Sequence, residues 1–214
     1  MISKLRGKIG LLQDVLAWPF VKLKVDPNVV SFLGLVLALI GAYFVTQEQW
    51  IPALIFFILA PLMDLIDGTV AKHLNKKSNF GNYFETMIDK AVDFVIIGSF
   101  VVLYPEATVL ALGFSMLSSY AKPRVALIII TDNHDWPAIG EHADKLLLVL
   151  LGIALMAVGY EVVGGFKVME GILLLVAAIA AIGTMQRVLY ARKLIKKAEK
   201  SGKLLPYIKK KKER

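Results

Sequence analysis

Residues 64–72 read DLIDGTVAK and residues 81–89 read GNYFETMID, and these two acidic segments decide how the rest of the chain is interpreted. With one further turn included, they hold five acids, which are Asp64, Asp67, Glu85, Asp89 and Asp93. The spacings i, i+3 and i, i+4, i+8 put these acids on one face of each of two helices. The short stretch between the segments makes the two helices antiparallel neighbours. The sequence therefore predicts a cluster of carboxylates between two helices.

Carboxylates packed so closely need a compensating positive charge. Two of them about 4 Å apart repel by roughly 4 kcal/mol at an effective dielectric constant of 20. A divalent cation removes this repulsion, and oxygen ligands without Cys suit Mg²⁺, Mn²⁺ or Ca²⁺ rather than zinc. Two alternatives stay open at this point. The acids could form the ion or proton pathway of a transporter, or they could pair with Lys90.

The composition indicates a membrane protein that carries positive charge. Hydrophobic residues make up 57% of the 214 residues, against about 45–50% in soluble domains. The absence of cysteine excludes disulfide frameworks, iron–sulfur clusters and thiol catalysis. A net charge of +8 favours anionic lipid headgroups or phosphorylated substrates as partners. A nucleic acid is not expected among them.

Six apolar runs have the length needed to span a membrane, about 20 residues each. They lie at residues 29–46, 51–71, 83–104, 107–130, 143–160 and 168–189. Before them, Trp18 and Phe20 stand among basic residues, which predicts an amphipathic helix at the membrane interface. The predicted fold is therefore an all-α membrane protein with six transmembrane helices and an N-terminal interfacial helix.

The basic residues orient these helices. If the N-terminus is cytoplasmic, the outward loops hold only Lys167, whereas twelve basic residues lie between Arg187 and Arg214. Cytoplasmic loops of membrane proteins carry the excess of Lys and Arg. We therefore predict an integral protein of the cell membrane with both termini, and the acidic cluster, on the cytoplasmic side.

The two acidic segments resemble the signature of the CDP-alcohol phosphotransferases, D-x-x-D-G-x-x-A-R followed by G-x-x-x-D-x-x-x-D. The chain departs from this signature at two positions, where Lys72 replaces the arginine and Glu85 replaces the third aspartate. Residues 27–31, PNVVS, are similar to the P-N-x-x-T segment that stands before the family's first transmembrane helix. The six-helix plan extends the resemblance over nearly the whole chain.

The resemblance implies transfer of a phosphatidyl-type group from CDP-diacylglycerol or CDP-archaeol to an alcohol, with release of CMP. It implies Mg²⁺ or Mn²⁺ as the cofactor, with metal ligands Asp64, Asp67, Glu85 and Asp89. Asp89 is also the candidate general base on the acceptor hydroxyl. The residues expected along the CDP-lipid are Asn28, Asp64, Asp67, Gly68, Ala71, Lys72 and Gly81. A homodimer embedded among membrane lipids is a further implication.

Two other segments bear on the acceptor. Residues 118–124, SSYAKPR, and 140–145, GEHADK, resemble segments of the branch that uses inositol 1-phosphate, the phosphatidylinositol-phosphate and archaetidylinositol-phosphate synthases. In that branch, basic residues hold the acceptor phosphate, and the matching positions here are Lys122, Arg124, His142 and Arg187. The expected acceptor is therefore a phosphorylated polyol, with inositol 1-phosphate preferred.

The expected organisation has three parts. Residues 1–26 form the interfacial helix, residues 27–191 the six-helix transmembrane catalytic domain, and residues 192–214 a basic cytoplasmic tail. Three other functions remain as alternatives: the branch that uses glycerol 3-phosphate, a catalytically weakened member that binds CDP-lipid, and an ion-coupled transporter. The weakened member is considered because Lys72 and Glu85 depart from the family's signature.

Overall fold

The computed structural model describes residues 2–130, 136 and 138–205, with side chains described from residue 10 onward. Within these residues it contains seven helices and one short hairpin of two antiparallel strands. The helices are α1 Ile2–Lys22, α2 Pro27–Thr46, α3 Trp50–His73, α4 Asn79–Gly98, α5 Pro105–Ala126, α6 His142–Ala157 and α7 Val168–Lys200. The strands are β1 Val162–Val163 and β2 Phe166–Lys167.

Two compact units make up the chain. The N-terminal unit consists of Met1–Val102 and Ile153–Gly159, and the C-terminal unit consists of Leu103–Gly152 and Tyr160–Arg214. The acidic segments belong to the N-terminal unit. The segments expected to bind the acceptor belong to the C-terminal unit.

Two helices of the N-terminal unit begin at capping residues that the sequence makes available. Asp26 accepts a hydrogen bond from the backbone N–H of Asn28 at 3.0 Å, directly before Pro27 opens α2. Ser78 accepts from the N–H of Gly81 at 2.9 Å and so caps α4. A side-chain oxygen at this position satisfies an N–H group that has no partner inside the helix.

Close packing of α2 on α3 organises the N-terminal unit. A Cβ atom on Gly34 would lie 2.9 Å from the carbonyl oxygen of Ala60, and one on Gly41 would lie 2.4 Å from the ring of Phe57. Glycine at these two positions therefore permits the short distance between the helices. Helix α4 also packs against α2.

Helix α1 joins this unit through a small apolar cluster. Ala17 is fully buried and packs with Val30 of α2 and with Ile66 and Val70 of α3. The helix predicted for the N-terminal residues is therefore present. Its amphipathic character and its place at the membrane interface stay predictions.

Helices α5 and α7 pack together in the C-terminal unit. The segment before α6 also lies against α7, because the backbone N–H of Ile139 donates to Oε1 of Gln186 at 2.7 Å. The carbonyl oxygen of Ile139 lies only 2.4 Å from the position of a Cβ on Gly183. This contact fixes the chain three residues before His142.

In the part of the chain that the structure describes, three helices, α2, α3 and α7, are long and apolar enough to cross a membrane. They support an integral membrane protein. Helices α4, α5 and α6 correspond to the other three predicted spans, and their crossing of the membrane stays a prediction. Helix α7 continues to Lys200, so the first part of the predicted tail is helical. Residues 206–214 of that tail lie outside the described residues.

Candidate active site

Three carboxylates from α3 and α4 come together in the N-terminal unit. One carboxylate oxygen from each of Asp64, Asp67 and Glu85 lies within 4.8 Å of the other two. Asp64 and Asp67 are one turn apart on α3, and Glu85 lies on α4, as the spacing predicted. We call these three residues the acidic triad.

Asp67 is the most deeply buried member of the triad, with 2% of its surface exposed. Its Oδ2 accepts a hydrogen bond from the hydroxyl of Ser31 on α2. Oδ1 of Asp67 and Oδ1 of Asp64 are buried and have no hydrogen-bond partner among the described residues. A buried polar oxygen without a partner is costly unless something outside the chain compensates it.

The triad has the ligand chemistry of a site for a hard divalent cation. It offers only carboxylate oxygens, which suit Mg²⁺ and Mn²⁺. The two Oδ1 atoms, for which the described residues offer no hydrogen-bond partner, support this fit. Glu85 reaches the cluster although it stands where the family's signature has an aspartate.

Asp89 and Asp93 follow on α4 and differ from the triad. Asp89, predicted as the fourth ligand, is not among the three acids whose oxygens meet the 4.8 Å distance. Asp93 is buried, and its Oδ2 lies 3.0 Å from Nζ of Lys90. Pairing with Lys90, one of the open alternatives, therefore accounts for Asp93.

A cavity of about 600 Å³ lies beside the triad. It is lined by the N-terminal ends of α2 and α4, by α3 and by the connection between α3 and α4. The predicted site residues that line it are Asn28, Asp67, Gly68, Ala71, Gly81 and Glu85. A Cβ on Gly68 would meet no atom of the described residues within 4 Å, so this glycine faces open space.

The lysines that line this cavity are not the lysine that the sequence predicted there. Lys76 and Lys77 line it, whereas Lys72 does not. Nζ of Lys76 lies 3.3 Å from Oδ2 of Asp26, the residue that caps α2. Neither Lys76 nor Lys77 was predicted from the sequence as a site residue. Their place at the cavity depends on the path of residues 74–78, which no motif specifies.

The four cations predicted to bind the acceptor lie in the C-terminal unit. Lys122 and Arg124 are in the last turns of α5, His142 is the first residue of α6, and Arg187 is on α7. Nη1 of Arg187 donates to the backbone carbonyl of Ser118 at 2.5 Å, which ties α7 to α5. One turn of α5 separates Ser118 from Lys122.

Both residues of this contact carry a buried polar atom that has no hydrogen-bond partner among the described residues. Nε of Arg187 and the hydroxyl oxygens of Ser115 and Ser118 are buried and have no hydrogen-bond partner within the described ranges. Lys145 on α6, for which no role was predicted, is buried in the same unit. Among the described residues, the buried Nε–H of Arg187 is therefore a donor without an acceptor.

The sequence profile of the CDP-alcohol phosphatidyltransferase family matches residues 24–183. Archaetidylinositol phosphate synthase of Pyrococcus horikoshii is 25% identical over 90% of this chain and 97% of that protein. CDP-diacylglycerol–glycerol-3-phosphate 3-phosphatidyltransferase of Aquifex aeolicus is 32% identical over 32% of this chain and 38% of that protein.

Solved structures share the fold. Phosphatidylinositol phosphate synthase of Mycobacterium tuberculosis with CDP-DAG bound superposes with a TM-score of 0.71 at 19% identity, covering 84% of this chain and 92% of that one. The same enzyme in complex with manganese and citrate gives a TM-score of 0.72 at 20% identity, covering 84% of this chain and 88% of that one.

Proposed function

The chain belongs to the CDP-alcohol phosphatidyltransferase family, and from this premise we propose that it transfers a phosphatidyl-type group from a CDP-linked lipid to a phosphorylated polyol, releasing CMP. It is a transferase of phospholipid synthesis. The single observation that carries the proposal is the acidic triad beside a cavity lined by the motif's glycines, with two buried oxygens that have no partner among the described residues.

The cavity suits the CDP part of the donor. The N-terminal ends of α2 and α4 both line it, and helix N-termini attract anions through their free N–H groups and the helix dipole. Lys76 and Lys77 add positive charge there. The binding of CDP-DAG by the similar Mycobacterium tuberculosis enzyme supports the same donor class.

Asp64, Asp67 and Glu85 would hold Mg²⁺ or Mn²⁺ through their carboxylate oxygens. When bound, the cation supplies charge neutralisation for the pyrophosphate of the donor. Manganese in a structure of the similar enzyme supports this assignment. Glu85 has one more methylene group than the aspartate of the signature, but its carboxylate still reaches the triad. The replacement therefore does not by itself favour a catalytically weakened family member.

In the proposed reaction, the acceptor hydroxyl attacks the lipid-bearing phosphorus of the pyrophosphate. The bond from that phosphorus to the bridging oxygen breaks, and CMP leaves with the bridging oxygen. Asp89 is the proposed general base, which takes the proton of the hydroxyl. Asn28, Gly68, Ala71 and Gly81 would position the donor, and we keep Lys72 as a proposed contact outside the cavity lining.

We propose inositol 1-phosphate as the acceptor, bound through its phosphate by Lys122, Arg124, His142 and Arg187. Nε of Arg187, which has no partner within the described part of the chain, supports this role, because a guanidinium forms strong paired hydrogen bonds with phosphate oxygens. The archaetidylinositol phosphate synthase of Pyrococcus horikoshii, which this chain matches over 97% of that protein's length, supports the same acceptor class.

Glycerol 3-phosphate is the second candidate acceptor. The Aquifex aeolicus relative named for glycerol 3-phosphate favours it, although it matches only 32% of this chain. Both acceptors carry a phosphate, so the same cations would serve either one. We also propose a homodimer with its active site and both termini facing the cytoplasm.

Release of CMP by the purified chain tests the proposal. Detergent-solubilised protein is incubated with CDP-archaeol or CDP-diacylglycerol and with Mg²⁺ or Mn²⁺. Inositol 1-phosphate, glycerol 3-phosphate, serine and inositol are supplied in separate reactions. We expect cation-dependent CMP release that is fastest with inositol 1-phosphate. Fastest release with serine or inositol would overturn the acceptor assignment, and binding of CDP-lipid without CMP release would favour the weakened member.

A further inference from the structure

Ser31 of α2 is not a member of the acidic triad but forms a hydrogen bond with it. Its hydroxyl donates to Oδ2 of Asp67, 36 positions further along the chain. Both residues are buried, with 5% of Ser31 and 2% of Asp67 exposed. The carbonyl oxygen of Pro27 lies 3.2 Å from the same hydroxyl. One hydroxyl proton therefore has two nearby acceptors, one on its own helix and one in the triad.

The packing of α2 on α3 brings Ser31 to this position. One turn further along α2, Gly34 would place a Cβ only 2.9 Å from the carbonyl oxygen of Ala60. The two helices therefore lie close together one turn from Ser31. A serine side chain, which is short, then reaches the carboxylate across the interface.

The hydrogen bond makes the two oxygens of Asp67 different. Oδ2 has a donor, whereas Oδ1 is buried and has no hydrogen-bond partner among the described residues. An aspartate held by one oxygen has little freedom to rotate. Its other oxygen is therefore kept in one orientation.

We propose that Ser31 is a positioning residue for the metal site: its hydroxyl holds Oδ2 of Asp67, reserves Oδ1 as the ligand oxygen, and thereby raises the affinity of the triad for a divalent cation. This inference rests on the proposed function to the extent that the triad binds such a cation. Partners of metal ligands typically change metal affinity by about 10- to 100-fold when they are removed.

The test is equilibrium binding of Mn²⁺ to the detergent-solubilised full chain, without donor or acceptor, measured by the electron paramagnetic resonance signal of free Mn²⁺. Ser31→Thr and Ser31→Val form a matched pair, because their side chains have nearly the same shape. Valine has a methyl group where threonine has the hydroxyl. Ser31→Ala removes the hydroxyl without adding volume. Thr69→Ala is the control, since the Thr69 hydroxyl donates to Leu65 of its own helix.

We expect Ser31→Val and Ser31→Ala to bind Mn²⁺ about tenfold or more weakly, whereas Ser31→Thr and Thr69→Ala bind it like the unaltered chain. Thermal unfolding without metal is measured alongside, because a purely structural serine would lower the melting temperature without changing the affinity of the folded protein.

Equal Mn²⁺ affinity for Ser31→Thr and either hydroxyl-free variant would overturn the positioning role and leave the proposed function intact. If the unaltered chain binds no Mn²⁺, the metal site of the proposed function fails, and the inference fails with it.

Discussion

Gly68 shows at the scale of one residue that a glycine can stand where packing does not require one. It lies on α3 and lines the cavity, and a Cβ there would meet no described atom within 4 Å. Gly34 and Gly41, in contrast, are required by the packing of α2 on α3. Packing therefore explains the glycines at positions 34 and 41 but not the one at position 68.

Gly68→Ala should leave the fold intact and impair donor binding. Alanine is the better helix former by about 1 kcal/mol, so the melting temperature should stay equal or rise. The added methyl group occupies space proposed for the CDP-lipid. One additional carbon in a binding site typically lowers kcat/KM about tenfold or more. We expect the KM for CDP-lipid to rise accordingly in CMP-release kinetics. Gly113→Ala, on α5 and also in open space, is the control. An unchanged KM for Gly68→Ala would remove Gly68 from the donor site.

Arg187→Gln tests the acceptor site at the same scale. Loss of a charged hydrogen bond costs about 1.5–3 kcal/mol, so the KM for inositol 1-phosphate should rise by roughly one to two orders of magnitude. The KM for CDP-lipid should change little. Arg192→Gln, at an exposed position on the same helix, should leave both constants unchanged. An equal rise in both constants for Arg187→Gln would indicate general damage rather than a lost phosphate contact.

At the scale of helices, the sequence predicts much of the fold because apolar runs are local signals. Each of the six predicted runs corresponds to one helix, and Asp26 and Ser78 cap two of them. The last helix extends beyond its apolar run to Lys200 because lysine and arginine are themselves good helix formers. An apolar run marks only the apolar part of a helix. The run at residues 168–189 therefore did not predict the polar, C-terminal part of α7.

The candidate site could be predicted only in part, for a related reason. Spacing on two neighbouring helices was enough to bring Asp64, Asp67 and Glu85 together. The contact of Ser31 with Asp67 depends on how closely α2 approaches α3, and the places of Lys76 and Lys77 depend on a connecting segment. Tertiary packing sets both features, and neither leaves a local pattern in the sequence.

Gly183→Ala is the prediction that belongs to this scale. A Cβ at residue 183 would lie 2.4 Å from the carbonyl oxygen of Ile139, a backbone atom that cannot move without shifting the segment before α6. Such overpacking typically costs about 1–3 kcal/mol. We expect a lower melting temperature in detergent. Gly171→Ala, in open space on the same helix, should keep or raise the melting temperature. Equal melting temperatures for the two variants would contradict the close contact.

At the scale of the whole molecule, the six predicted spans and the loop charges require a defined topology. The chain has no cysteine, so a single introduced cysteine can be labelled without background. Cysteines at Asn79 and Lys203 should react with a membrane-impermeant maleimide only from the cytoplasmic side. Cysteines at Gln47 and Val163 should react only from outside. All four positions are exposed. Labelling of Gln47 and Asn79 from the same side would exclude a membrane crossing between them and overturn the predicted topology.

The central claim is that the acidic triad is the metal centre of a CDP-lipid transferase, and CMP release by Asp64→Asn tests it most directly. The change keeps the shape of the side chain and removes one anionic ligand.

Asp14→Asn is the matched control, because Asp14 makes only an exposed pair with His73 at 3.6 Å, and exposed pairs contribute little to stability. CMP release from CDP-lipid is measured for the unaltered chain and both variants as Mn²⁺ is raised. The account predicts that Asp64→Asn folds but releases CMP no faster than the unaltered chain without a divalent cation, while Asp14→Asn matches the unaltered chain. Release by Asp64→Asn at the unaltered rate, with the same dependence on Mn²⁺, would contradict it.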